Sequence, residues 1–283
     1  AVVWDLTTGE AIHDLDHEAT VVGVDISPDG KLVATGGFDG VVRLWDLETG
    51  TESAALEAHD ARVWDVEFRA DGRFLGSIAF EDGDVVVWDL SGEDPVESEF
   101  PMIGRGLSLA LDPLGGDLAT GWIGGEVRLV SLMDGEVEWQ TTEPLGNIGD
   151  VAFSGDGRML AAGSDDNRAW IWEATSRGPG ASLEGHTGYV NGVAFSPDGS
   201  LLTTGSHDTT VGIWDVATGT RLATLQAHED AVLRVAVNPD GDLIASTSWD
   251  GTVRLWGVPS GQKTMAALRG AWPSGRWPAP GRR

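Results

Sequence analysis

The 283-residue chain contains no cysteine, which excludes both a disulfide framework and a thiolate metal site. Basic side chains are scarce: 18 Lys and Arg stand against 45 Asp and Glu, a formal charge of −27. Lysine is nearly absent, with only Lys31 and Lys263. A nucleic-acid binder needs a basic stripe to neutralise phosphates, so the acidity argues against that class. It fits a protein kept soluble at high salt, a product of a GC-rich genome, or simply a heavily hydrated surface. Long hydrophobic runs are also missing. Apolar residues come about three to five at a time, far short of the ~20 needed to cross a bilayer. The opening residues do not read as a signal peptide, so none is expected, and the expected location is the cytoplasm.

What the sequence has in abundance is punctuation. Forty glycines and twelve prolines suit many short strands joined by turns, not a helical bundle. Trp-Asp or a variant recurs at Trp4-Asp5, Trp45-Asp46, Trp88-Asp89, Trp172-Glu173, Trp214-Asp215 and Trp256-Gly257, at intervals of 41, 43, 84, 42 and 42 residues. The long interval is two periods, and its midpoint falls at Val130-Ser131, where the tryptophan is lost. Seven repeats are therefore expected. Repeat six shows the unit best: strands at Val190 to Phe195, Leu201 to Gly205, Val211 to Trp214 and Leu222 to Leu225, separated by turns such as Ser196-Pro197-Asp198-Gly199. Strands this short bury their faces by stacking consecutive four-stranded sheets.

The period, the terminal Trp-Asp and the upstream Gly185-His186 pair resemble the WD-repeat β-propellers, and the repeated Ser-Pro-Asp-Gly turns resemble their bacterial members. The resemblance covers residues 1 to about 268. It implies an all-β, seven-bladed propeller of four-stranded antiparallel blades, the first blade lacking its two inner strands. Residues 269–283, with four Arg, three Pro and no acid, are expected to form a disordered basic tail, either a recruitment segment or non-native residue. The missing strands of repeat one are expected to lie upstream.

His186, Thr204, Asp208 and Trp214 stand at offsets 0, 18, 22 and 28, repeated by His17, Thr35, Asp39, Trp45 and by His228, Ser246, Asp250, Trp256. Repeat three keeps His59 and Ser77 but shifts Asp82 and Trp88 by one. A His, an Asp and a hydroxyl invite a hydrolase triad, yet an active site needs one such cluster, not several. In the family these residues resemble a structural relay from Asp through His and hydroxyl to indole. Repeat four retains only Thr120, and repeat five keeps Asp166 and Trp172 beside Pro144 and Ala162, so these two are expected to be least braced. The six histidines are too scattered for a metal cluster, and neither a cofactor nor catalysis is expected.

In the family, positions three and five after the His, and the one before the turn Asp, resemble those lining the top of the channel. Here they include Phe38, Arg62, Trp64, Glu81, Arg105, Asp165, Tyr189, Asn191, His207, Leu233 and Trp249. Trp, Tyr and Arg are the types enriched at binding hot spots; the alternative reading is that the aromatics pack against neighbouring loops. Glu81 and Asp165 would favour a partner carrying Arg or Lys. The expected function is a non-catalytic scaffold for protein or peptide partners, with no nucleic acid and no membrane. The alternative is the C-terminal regulatory propeller of a larger signalling chain carrying a kinase, signalling ATPase or transcription-regulator domain.

Overall fold

The computed structural model describes residues 1–57, 59–81, 83–92, 94–141 and 145–258, together with the backbone of 274–278. The described residues form six four-stranded antiparallel sheets, a two-stranded sheet and no helix. They fall into two compact parts, residues 1–123 with 127–140, and residues 124–126 with 141–283.

The first part opens with β1 (Val2–Trp4) paired to β2 (Ala11–Asp14). Repeat two forms β3 (Val21–Ile26), β4 (Leu32–Gly37), β5 (Val41–Asp46) and β6 (Glu52–Glu57). Repeat three forms β7 (Val63–Phe68), β8 (Phe74–Ala79), β9 (Val85–Asp89) and β10 (Val96–Phe100). Repeat four forms β11 (Gly106–Leu111), β12 (Asp117–Trp122), β13 (Val127–Ser131) and β14 (Val137–Gln140).

In the second part, repeat five gives β15 (Ile148–Phe153), β16 (Met159–Ser164), β17 (Ala169–Glu173) and β18 (Ala181–Leu183). Repeat six gives β19 (Val190–Phe195), β20 (Leu201–Ser206), β21 (Thr210–Asp215) and β22 (Thr220–Gln226). Repeat seven gives β23 (Val232–Val237), β24 (Leu243–Ser248) and β25 (Thr252–Gly257), with β26 (Ser274–Pro278) paired along β25. The boundary at 268 and the remainder of the 269–283 tail lie outside the described residues.

Among the described residues the blade count is thus six, not the seven expected. Repeat one contributes only β1 and β2, and a two-stranded ribbon is not a blade. It covers Leu15, Val33 and Trp45 through Val3 instead of forming a core of its own. Elsewhere each core lies between successive sheets. Ala34, Val42 and Leu44 of repeat two pack with Val63, Val66 and Phe68 of repeat three, and repeats five and six meet in the same way around Ile171, Val190, Val193 and Phe195.

The first turn of each repeat follows from its residues. Ser196 Oγ donates to Asp198 Oδ1 at 2.8 Å and accepts Leu201 N–H at 3.0 Å, while Gly199 takes φ +68° and donates its N–H to the Ser196 carbonyl at 2.8 Å. Ser, Asp and Gly each supply what such a turn requires. Ser27 with Asp29 and Ser154 with Asp156 repeat the hydroxyl–carboxylate bond.

The innermost strand of each sheet is an edge, with main-chain N–H groups that no neighbouring strand takes up. Carboxylates from the preceding sheet cap several of them. Asp25 Oδ2 accepts Phe68 N–H at 2.7 Å, Asp65 Oδ2 accepts Leu109 N–H at 3.2 Å, Glu67 Oε2 accepts Leu111 N–H at 2.8 Å, and Asp150 Oδ2 accepts Val193 N–H at 2.9 Å. In repeat seven a cation works on the acceptors instead: Arg234 donates to the carbonyls of Gly149 and Asn191 at 3.1 and 3.0 Å.

Candidate functional site

Two loops at one end of every four-stranded sheet are clipped together by a single main-chain bond. The N–H 21 residues after the histidine position donates to the carbonyl three residues after it. The pairs are Phe38 to Thr20, Phe80 to Arg62, Ile123 to Arg105, Asp165 to Asn147, His207 to Tyr189 and Trp249 to Ala231, all at 2.8–3.0 Å. This clip is what makes residues 18 positions apart into neighbours. In repeat three the clipped residue is Phe80, not Glu81. The inserted residue follows the clip, so counting back from Asp82, which lies outside the described residues, lands one position late. Counting forward from Ser77 finds Phe80.

In the first compact part these loops assemble an aromatic stack. Phe38 and Trp64 lie 6.2 Å apart between ring centroids at 17°, and Trp64 and Phe80 lie 4.7 Å apart at 28°. Arg62 caps it, with its guanidinium 5.0 Å from the Phe38 centroid and 5.2 Å from that of Phe80, and Arg105 stands 5.8 Å from Phe80. Arg62 Nε also donates to Glu81 Oε1 at 2.5 Å, and that bond holds the Glu81 carboxyl below its ordinary value. Glu81 is therefore already engaged by a cation of its own repeat.

The second part holds a different group. Tyr189 and His207 have centroids 5.1 Å apart, as do His207 and Trp249. Tyr189 is 49% and Trp249 62% exposed, with His207 half-buried between them. Asn191 and Leu233 are half-buried, the Asn191 carbonyl being taken by Arg234. Asp165 accepts a bond from Asn147 Nδ2 at 2.7 Å.

The recurring polar set forms a complete relay in repeats six and seven. His186 Nδ1–H donates to Asp208 Oδ2 at 2.8 Å, leaving Nε2 to meet the Thr204 hydroxyl at 2.7 Å, and that hydroxyl accepts Trp214 Nε1–H at 2.9 Å. His228, Asp250, Ser246 and Trp256 repeat it at 2.9, 2.7 and 2.9 Å. A hydroxyl two residues beyond each Asp completes it: Thr210 and Thr252 donate to Asp208 and Asp250 at 2.6 Å. Burial alone would raise the Asp208 carboxyl, but the bonds from His186 and Thr210 outweigh it and hold the group well below its ordinary range.

Other repeats satisfy the same groups differently. His59 keeps its bond to Ser77 at 2.5 Å. In repeat two Trp45 still donates to Thr35 at 2.8 Å, but Asp39 takes Arg43 and His17 joins no relay. In repeat four, where the third-strand tryptophan is lost, Trp122 donates to Thr120 at 2.8 Å from two residues along the same strand. In repeat five Pro144 lies outside the described residues, and Asp166 accepts Trp170 Nε1–H at 3.1 Å. Arg43, Trp122 and Trp170 were not marked by the repeat pattern, because each lies off the four recurring offsets.

Among the described residues no three His, Asp or Glu side chains are grouped to hold a metal ion. A cleft of about 580 Å³ opens beside repeats two and three, with Asp39, Glu57, Asp60, Asp84, Glu97 and Glu99 on its walls. Its acids follow the overall charge. No helix of the described residues is long and apolar enough to cross a membrane.

Similarity to known proteins follows the repeats. The chain is 31% identical over 177 residues to the WD repeat-containing protein SL1-17 of Schistosoma mansoni, covering 61% of this chain and 58% of that one. It is 30% identical to eukaryotic translation initiation factor 3 subunit I of Bos taurus (62% and 57% covered) and 28% to the target of rapamycin complex subunit LST8 of Saccharomyces cerevisiae (66% and 64%). The chain thus spans less than two thirds of the length of these relatives. They are eukaryotic and lend no support to a specifically bacterial type of repeat. The profile of the WD domain, G-beta repeat, matches residues 9–46, 50–89, 140–173, 178–215 and 219–257, and the chain belongs to that family.

Proposed function

We propose that the protein is a non-catalytic scaffold that takes protein partners on the clipped-loop ends of its sheets. The observation that carries this reading is the Tyr189–His207–Trp249 row. Three rings from three loops meet at ring-contact distance, and the outer two, Tyr189 and Trp249, are exposed on either side of the half-buried His207, where folding alone gives little reason to place them. Exposed aromatic groups of this kind mark interaction sites. Two of the relatives are, by name, subunits of larger assemblies, in keeping with this role. The recurrence of the His–Asp–hydroxyl set, each copy spent on a tryptophan N–H, favours bracing over catalysis. The charge of −27 favours a protein partner over nucleic acid, and we place the protein in the cytoplasm.

The test is affinity capture with Trp249→Ala and Trp64→Ala against the parent chain, with circular dichroism to verify the fold. A partner lost by Trp249→Ala but kept by a charge variant at the other end of the same sheet, Asp240→Asn in the β23–β24 turn, supports the reading. A partner held equally by parent and both tryptophan variants places binding elsewhere.

A further inference from the structure

The two aromatic groups share their clip positions, Phe38 and Phe80 in the first and His207 and Trp249 in the second, yet differ at the position three residues after the histidine. Three residues after the histidine position, repeats three and four carry Arg62 and Arg105, and both guanidiniums stand over aromatic rings of the first group. At the same position repeats six and seven carry Tyr189 and Ala231. Among the described residues no Arg or Lys stands over Tyr189, His207 or Trp249, although Arg221, in the same part of the chain, lies 5.0 Å from the Trp214 centroid. The chain thus sets a guanidinium over the clip-position rings of the first group, while at the clip-position rings of the second, His207 and Trp249, it sets Tyr189 and Ala231 in its place.

We propose that the Tyr189–His207–Trp249 row receives an arginine side chain presented by a partner protein. The inference rests on the scaffold reading above and names the chemistry of its partner. Arginine fits better than lysine because a planar guanidinium stacks on ring faces, and the chain itself sets the Arg62 guanidinium over the Phe38 and Phe80 rings. The charge is complementary as well. Asp230 is exposed on the loop clipped to Trp249, where its carbonyl accepts Ser248 Oγ–H at 2.9 Å and its own Oδ1 accepts Ala231 N–H at 2.7 Å. A cation arriving at Trp249 therefore meets a loop that carries a fixed carboxylate.

The probe is N-acetyl-argininamide, with N-acetyl-norvalinamide as its counterpart lacking the guanidinium. Binding is read from the Trp249 indole N–H resonance, assigned by its loss in Trp249→Phe, in 0.15 M salt and again in 0.5 M salt to separate stacking from general attraction to an acidic surface. The expected result is a saturable shift with the arginine probe and none with norvaline. Tyr189→Ala should weaken binding about two- to fivefold, the size of one exposed cation–π contact, and Asp230→Asn should weaken it mainly at the lower salt. Equal shifts with both probes, or an affinity unchanged by Tyr189→Ala, would overturn the proposal. If the arginine probe fails while Trp249→Ala still loses its captured partner, the scaffold reading stands and the arginine assignment falls. If capture is also unaffected, both fall.

Discussion

Asp39 accepts the Arg43 guanidinium at 2.7 Å and leaves His17, although all four relay residues of repeat two are present at their expected offsets. The ring of His17 lies 5.0 Å from that of Trp45, and both its nitrogens are buried without a hydrogen-bond partner. The cause sits two residues beyond the aspartate. Repeats six and seven have Thr210 and Thr252 there, whose hydroxyls bond the carboxylate and approach the histidine Nδ1 at 3.4 and 3.3 Å. Repeat two has Val41. With no hydroxyl to hold it inward, the carboxylate turns to the nearest cation.

Two aspartates at the same offset should therefore differ in worth. Asp208→Ala strands His186, Thr210 and the Thr187 N–H, and should cost about 2–3 kcal/mol, as when a buried polar network is broken. Asp39→Ala removes one partner of the half-buried Arg43, which keeps Glu52 as a second, and should cost no more than about 1 kcal/mol. Urea unfolding of both variants checks this. Equal losses would show that the repeat-two relay forms in solution.

The capping of edge amides by acids carries a pH signature at Asp25. Burial raises its carboxyl to about 6, against the bonds from Phe68 and Ile26 N–H that favour the ionised form. A raised value means the folded chain holds the proton more tightly than the unfolded one. The stability this gives is full below the unfolded value of about 3.9 and is lost as pH rises through 6. Asp25→Asn keeps an acceptor for Phe68 N–H without the charge. It should equal the parent near pH 4 and exceed it by about 1–3 kcal/mol at pH 7. Thermal melts across that range decide it, and a constant difference between the two proteins would rule the mechanism out.

The repeats, the turn sequences and the relay of repeats six and seven were legible in the sequence because each depends on residues at fixed spacing within one unit. Repeat four was legible too. It lies outside the profile match, yet β11–β14 form a complete sheet. What escaped depended on substitutions beside the motif. Val41 decides where Asp39 points, Trp122 takes the hydroxyl that Val130 cannot use, and Phe80 enters the stack because the insertion follows it. The count of blades failed for another reason. Period arithmetic counted repeat one as a blade, whereas the two strands expected and found for it, β1 and β2, make no four-stranded sheet among the described residues.

Backbone conformation gives a separate prediction. Thr209 has φ +73°, where the equivalent turns use Gly40 and Gly251 at +80° and +75° and Asn167 at +72°. A β-branched residue is poorly suited to the left-handed region, at a cost of roughly 1–2 kcal/mol. Thr209→Gly should stabilise the protein by up to about 1 kcal/mol, since glycine also gains entropy in the unfolded chain. A rise in Tm of the variant checks the sign. A fall would mean that Thr209 makes a compensating contact.

The last prediction contrasts equivalent apolar positions of successive repeats. Val66 and Val193 are 2% and 4% exposed, whereas Val24, at the same place in repeat two, is 58% exposed, and Ile26 beside it is 51% exposed. The difference follows from what precedes each sheet. Val66 packs against Ala34, Val42 and Leu44 of a complete neighbouring sheet, while the sheet before β3 is the two-stranded β1–β2. Val66→Thr should therefore cost about 1–3 kcal/mol, because it places a hydroxyl in a filled core. Val24→Thr and Ile26→Thr should each cost less than about 0.5 kcal/mol. The same two changes should reduce self-association, because contiguous exposed apolar side chains on an inner strand make an adhesive face. Denaturation at two protein concentrations, with sedimentation of the same samples, separates the effects. If Val24→Thr destabilises as much as Val66→Thr, and more so in concentrated samples, then this face is covered in solution by another copy of the chain.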